Sequence, residues 1–187
     1  MSRVHLTLIA MYVVLASCAE DSSVSSDPDA YETLPTTYSG YEQHTYAAGK
    51  NFALAIKDGR VWAWGDNASG QLGNGTTSNA KAPVIVPNMS NVISVSAGLA
   101  TSYALTSDGY VYAWGKNASY QLSNGTTTNS STPVQIKCSG TAISGIVAIA
   151  AGGSHALAIK YASGNNSILA WGSNSSGQLG NKPNPGT

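Results

Sequence analysis

The chain of 187 residues is only 10% charged, against roughly 25% for an average soluble domain, and carries 20 glycines and 10 tyrosines. Its 42% hydrophobic content is enough to bury a core, which excludes compositional disorder, and the profile is that of a turn-rich all-β protein of one-domain length. Nine basic and nine acidic residues cancel, so no global charge points to nucleic acid or to an anionic membrane.

The N-terminus reads as an address. Arg3 and His5 precede an apolar stretch from Leu6 to Ala16, followed by Leu15-Ala16-Ser17-Cys18. A basic start, about ten apolar residues and small residues before the cut describe a secretory signal over 1–17. It is too short to span a bilayer, which takes about 20 apolar residues. Residues 18–42 hold six of the nine acids together with Ser22, Ser23, Ser25, Ser26, Pro28 and Pro35, the composition of a flexible acidic tether. Eight of the nine bases lie beyond residue 42, but they are scattered rather than clustered, so nucleic-acid binding is not expected.

From residue 43 onward one unit recurs three times. The first copy runs from Ala48-Gly49 through Phe52-Ala53-Leu54-Ala55-Ile56, Asp58-Gly59 and Val61-Trp62-Ala63-Trp64-Gly65 to Gln71-Leu72-Gly73. Ala97-Gly98 opens the second, which passes Asp108-Gly109 and Tyr112-Ala113-Trp114-Gly115 to Gln121-Leu122. Ala151-Gly152 opens the third, which passes Ala170-Trp171-Gly172 to Gln178-Leu179-Gly180. The units are placed at about 46–96, 97–150 and 151–187.

Within each unit the patterning is that of strands. Leu54 and Ile56 take one face and Ala53 and Ala55 the other, while Trp62 and Trp64 oppose Val61 and Ala63 by the same period of two. Apolar residues on both faces suit a sheet packed between two others. Asp-Gly marks a hairpin tip in the first two copies; the third lacks it and carries a longer connection from Ile159 to Ile168, expected to lengthen the tip. Further strands are expected at 84–86, 92–96, 134–136 and 146–150. The spacing from Trp-Gly to Gln, by contrast, is the same in all three copies, so the loop between them should be rigid.

These motifs resemble the repeat of the regulator of chromosome condensation family, over residues 46–181. Tyr120 and Ser123 depart from it, standing where Gly70 and Gly73 stand in the first copy. The resemblance implies a β-propeller of four-stranded antiparallel blades, seven in the family. Three blades are fewer than the four to eight that usually close. The expectation is therefore an incomplete propeller, completed by further blades of a longer chain or by self-association. Leu15-Ala16-Ser17-Cys18 likewise resembles the lipobox of bacterial lipoproteins, which implies cleavage before Cys18, a lipid on Cys18, and a protein exported and anchored to the cell envelope, at the outer membrane or cell surface. That leaves Cys138 without an intrachain partner.

Candidate chemistry is sparse. His155 aligns with Phe52 and Thr101, which points to a structural role, and Asp58 and Asp108 are explained by turns. No zinc spacing, phosphate loop or calcium loop is present, so no cofactor, no metal and no enzymatic activity are expected. A repeat scaffold holds its framework alike and varies its contacts. The varied columns of the rigid loop are Asp66, Lys116 and Ser173, and Gly70, Tyr120 and Gly177, so Asp66, Lys116 and Tyr120 are the candidate ligand-binding residues. The expected function is a non-enzymatic, lipid-anchored scaffold that binds a protein or surface ligand. The resemblance carries two further readings: inhibition of a secreted or periplasmic enzyme, as by a secreted bacterial propeller that covers β-lactamases, and guanine-nucleotide exchange, as by the nuclear member, against which an export signal argues. A last reading is the binding part of a longer enzyme or toxin.

Overall fold

The computed structural model describes residues 45–162 and 165–180. The signal and tether expectations, Cys18 included, lie outside the described residues. All elements are strands, numbered here in chain order. The first sheet is an antiparallel meander of β1 (Tyr46–Ala48), β2 (Phe52–Lys57), β3 (Arg60–Gly65) and β4 (Ala80–Ile85). The second repeats it with β5 (Val92–Ala97), β6 (Thr101–Thr106), β7 (Val111–Gly115) and β8 (Ser130–Gln135). A short ribbon of β9 (Lys137–Cys138) and β10 (Thr141–Ala142) then leads to the third sheet of β11 (Ile146–Ala151), β12 (His155–Ala162) and β13 (Asn165–Gly172). These are three propeller blades, the last with three strands among the described residues.

Several expectations are refined. Blade and sequence unit are offset by one strand: β5, placed by sequence at the end of the first unit, pairs with β6 and opens the second blade, as β11 opens the third. The outer strands begin at Ala80 and Ser130, ahead of the apolar triplets that mark them, because Pro83 and Pro133 are tolerated on strands with one open edge. Cys138 lies in β9 and is exposed. The longer third connection does not enlarge the tip. It is absorbed as ladder, with β12 and β13 paired as far as Ala162 and Asn165. In the first hairpin the Asp-Gly signal works as its chemistry requires, since Asp58 (φ 53°) and Gly59 (φ 70°) both occupy the left-handed region that a two-residue turn between Lys57 and Arg60 demands.

The apolar cores lie between blades. Leu54, Val61, Ala63, Leu72 and Val86 of blade 1 face Val95, Ala104 and Trp114 of blade 2, in one buried cluster. Tyr103, Leu105, Val111, Ala113, Leu122 and Ile136 of blade 2 meet Ile149, Ala156, Ala158 and Trp171 of blade 3 in another. Each blade thus buries a face of bulky residues against the small residues and tryptophan of the next, which is why both faces of the inner strands β2, β3 and β7 carry apolar residues. Backbone hydrogen bonds tie the first hairpins together: Lys50 N–H donates to Leu99 O (3.2 Å), and Leu99 N–H to Gly153 O (2.9 Å).

Candidate functional site

The loop after the third strand of each blade is built around one asparagine. Asn117 is fully buried; its Nδ2 donates to Thr126 O (2.8 Å) and Thr128 O (3.0 Å), and its Oδ1 accepts from Leu122 N–H (2.8 Å). Asn67 repeats this with Thr76 O (3.0 Å), Ser78 O (3.0 Å) and Leu72 N–H (2.9 Å). Asn174 Oδ1 accepts from Leu179 N–H at 3.0 Å. A buried amide group with both ends bonded fixes a loop that no regular ladder could hold. Sequence reasoning missed the role of these asparagines; the signal was their identity in all three copies at a fixed distance from Trp-Gly.

The glutamine that follows serves the next blade through its backbone. Gln71 O accepts from Trp114 Nε1 (2.8 Å) and from Ser102 Oγ (2.6 Å). Gln121 O accepts from Trp171 Nε1 (2.9 Å) and Tyr103 Oη (3.1 Å). Every Trp-Gly of blades 2 and 3 is thereby clamped to the rigid loop of the blade before it. Tyr103 and Trp171 also meet edge to face, with ring centroids 6.0 Å apart.

Burial pushes the Tyr103 phenol far above its ordinary pKa, and a hydrogen bond with Trp171 opposes this more weakly. The folded chain therefore keeps a proton that the unfolded chain releases above about pH 10. Stability is unaffected below that pH and falls above it, by about 1.4 kcal/mol per pH unit from this group. In urea titrations between pH 9 and about 11, Tyr103→Phe should lose less stability with pH than the parent; equal losses would refute the assignment.

The sequence-nominated residues sit on this framework in different ways. Asp66 is half-buried and held within its loop, Oδ2 accepting from Gln71 Nε2 at 2.7 Å and Oδ1 from Ala68 N–H at 3.3 Å. Lys116 is exposed at the equivalent position, only its backbone being engaged among the described residues, with N–H donating to Ala100 O. Tyr120 is 56% exposed. It adopts φ 60°, matching Gly70 (φ 84°) and Gly177 (φ 76°), and makes the same pair of turn bonds: its N–H donates to Asn117 O and its carbonyl accepts from Ser123 N–H. Asp66, Lys116 and Tyr120 all follow the third strand, so repeat symmetry puts their loops on one side of the array, Lys116 and Tyr120 in the same loop. In loop 1 the counterpart Gly70 lies on the start of the outer strand of the next blade, where an added Cβ would come within 2.7 Å of Ser131 Cα. Blade 3 presents no such strand among the described residues, and Tyr120 is left half exposed.

A left-handed tyrosine costs about 1–2 kcal/mol, and a half-open ring returns little of it. Tyr120→Gly is therefore expected to stabilise the chain by about 1 kcal/mol, measured as a raised urea midpoint; a lowered midpoint would mean that the ring packs in solution.

His155 is half-buried against Gly152, as Phe52 is against Gly49, which is a packing role. Among the described residues no group of three His, Cys, Asp or Glu side chains could hold a metal ion, and there is no helix long and apolar enough to cross a membrane.

The recurrence of this loop in three blades and of the clamp in two agrees with comparison to known proteins. The family model described as the regulator of chromosome condensation (RCC1) repeat matches residues 58–105 and 108–159, and a second model of the same description matches 92–121 and 146–178. The chain belongs to the RCC1 repeat family. Among relatives, mouse E3 ubiquitin-protein ligase HERC2 is 33% identical over 155 residues, 80% of this chain and 3% of that protein. Human Protein RCC2 is 36% identical over 52 residues, 28% of this chain and 10% of that protein. Among solved structures, Prp20p of Saccharomyces cerevisiae, described with its binding properties to Gsp1p and histones, superimposes with a TM-score of 0.60 at 28% identity, over 74% of this chain and 34% of its own. The RCC1 repeats here thus span about a third of that propeller.

Proposed function

We propose that this RCC1-repeat chain is a non-enzymatic binding scaffold, exported and held to the cell envelope by a lipid on Cys18, which presents the loops after its third strands to a protein or surface ligand. The observation that carries the reading is the contrast within those loops. The loop asparagine is the same in all three blades, and its burial and the clamp carbonyl are alike in blades 1 and 2, whereas Lys116 and Tyr120, at positions that differ in chemistry, are exposed. Strain retained at an exposed aromatic has a use at a contact surface, where Tyr is enriched among the residues that dominate affinity. Asp66 adds a carboxylate to the same side of the array. The Prp20p structure, described with its binding to Gsp1p and histones, lends a protein partner further support. Anchoring rests on the basic start, the short apolar run and Leu15-Ala16-Ser17-Cys18.

The test is a pulldown from envelope extracts with the full-length protein, followed by affinity measurement with the captured partner. Tyr120→Ala and Lys116→Glu should each weaken binding, Tyr120→Ala by about thirtyfold, with the melting temperature unchanged or raised. Unchanged affinity for both variants would remove this side of the array from the interface. For the anchor, intact-mass analysis of the membrane fraction should find a lipidated Cys18 as the first residue, and Cys18→Ser should release the protein from the membrane.

A further inference from the structure

Two of the three rigid loops continue into the same triplet, Asn74-Gly75-Thr76 and Asn124-Gly125-Thr126, and these hold the two Asn-Gly pairs of the chain. Each of these asparagines uses only one end of its amide. Asn124 Oδ1 accepts from Thr126 N–H (3.1 Å), Thr126 Oγ1 (3.0 Å) and Asn117 Nδ2 (3.3 Å). Asn74 Oδ1 likewise accepts from Thr76 N–H (3.1 Å), Thr76 Oγ1 (2.9 Å) and Asn67 Nδ2 (3.3 Å). Among the described residues neither Nδ2 donates a hydrogen bond, the reverse of Asn67 and Asn117, whose Nδ2 groups hold the loops together. The glycines that follow are exposed, at φ 82° and 81°, and a Cβ added to either would meet nothing within 4 Å.

We propose that Asn124 and Asn74 are self-modifying positions, converted to aspartate by a reaction for which each loop supplies the groups. The backbone nitrogen of Gly125 attacks Asn124 Cγ and gives its proton to solvent, closing a five-membered succinimide. The bond from Cγ to Nδ2 breaks, and that nitrogen leaves as ammonia. Water then adds at Cγ and the new C–N bond breaks, so that the sum is amide and water in, carboxylate and ammonium out. In both additions negative charge collects on Oδ1, where three donors already stand, and donors fixed in advance around a developing oxyanion are the ones that lower a barrier most. The leaving nitrogen has no hydrogen bond to surrender, and glycine puts no side chain in the path of its own nitrogen. At Asn74 the attacking nitrogen is first released from Ser131 O, to which Gly75 N–H donates at 2.9 Å. The product suits the site, because a carboxylate oxygen accepts from the same three donors in stronger, charge-assisted bonds. Each conversion adds a negative charge, one to the loop of Asp66 and one to the loop of Lys116 and Tyr120.

The full chain, folded or unfolded in urea, is incubated in mildly alkaline buffer and mapped by peptide mass spectrometry for aspartate and isoaspartate at 74 and 124. In the unfolded chain water opens the ring at either carbonyl and both products form; in the folded chain the donors on Oδ1 direct water to Cγ, and aspartate should dominate. Thr126→Val removes one donor at an exposed position and should slow conversion of Asn124 about tenfold in the folded chain while leaving the rate in urea unchanged. Thr126→Ser keeps the hydroxyl and should restore the parental rate. Thr76→Val makes the same test at Asn74 if Thr126→Val lowers the melting temperature. Asn124→Asp, which installs the product directly, should melt no lower than the parent. No conversion in the folded chain, one product mixture in both states, or a folded Thr126→Val chain that converts at the parental rate would overturn the proposal.

Discussion

Asn117→Asp should destabilise the chain by about 4 kcal/mol or more at neutral pH, a large part of the 5–15 kcal/mol available to a typical domain. The substitution is nearly isosteric, so packing does not enter. What changes is that an oxygen replaces Nδ2 opposite Thr126 O and Thr128 O, setting acceptor against acceptor, and that a charge is introduced at a site with no solvent access. An uncompensated buried charge alone costs about 3–5 kcal/mol. Desolvation then raises the carboxyl pKa in the folded state above the 3.9 or so of the unfolded chain. The sign follows: below about pH 4 both states are protonated and the penalty is smallest, a neutral carboxyl still being able to donate to Thr126 O. As pH rises from there, the unfolded chain loses its proton first and stability falls by about 1.4 kcal/mol per unit until the folded-state pKa is passed. Urea denaturation at pH 4 and pH 7 measures both quantities. A variant as stable as the parent at pH 7 would show that the asparagine does not organise the loop.

Trp114→Ala should cost about 3–5 kcal/mol, the range for deleting a fully buried large aromatic. Two losses combine: the indole fills the space between blades 1 and 2, and its Nε1 is one of two donors to Gln71 O. Trp114→Phe separates them, since it retains most of the packing and leaves Ser102 Oγ on the carbonyl; about 1–2 kcal/mol is expected. The clamp also explains Gly73, where a Cβ would stand 2.6 Å from Trp114 Nε1 on a backbone at φ 66°. Gly73→Ala should therefore be damaging in the parent and less so in the Trp114→Ala background, where only the backbone strain remains. That coupling, read from a double-mutant cycle, distinguishes a direct contact from independent effects. Additive losses would mean that the loop and the tryptophan do not meet in solution.

Much of the fold was legible because propeller blades are built from local pairings. The alternation of Leu54 and Ile56 with Ala53 and Ala55, the Asp58-Gly59 turn and the recurrence of Trp-Gly determined strands, hairpins and a three-fold repeat without knowledge of any distant contact. The sequence also singled out the loop after Trp-Gly as rigid from its constant length. It did not reveal why the loop is rigid, because an asparagine bonded to carbonyls nine and eleven residues away looks the same in sequence as a solvated one. Nor did it show that a backbone carbonyl, that of Gln71 or Gln121, joins one blade to the next. A carbonyl is present at every residue, and only the packed arrangement brings an indole from 43 or 50 positions further along onto these two.

The candidate contact residues divide along the same line. Column comparison alone found Asp66, Lys116 and Tyr120. Their different circumstances are tertiary: Asp66 is drawn into its own loop by Gln71, Lys116 stands free of side-chain bonds among the described residues, and Tyr120 takes a backbone conformation written for glycine. The identity of each blade was likewise a matter of pairing. By sequence β5 closes the first unit, yet its backbone bonds to β6, and this offset by one strand follows from where the ladder forms rather than from where the motif begins. Local periodicity, turn chemistry and repetition were thus determined by the sequence itself, since they depend on neighbours a few residues apart. Which groups become buried, strained or clamped was decided only when blade met blade, because burial and hydrogen-bond satisfaction depend on surfaces that the chain brings together from some fifty residues apart.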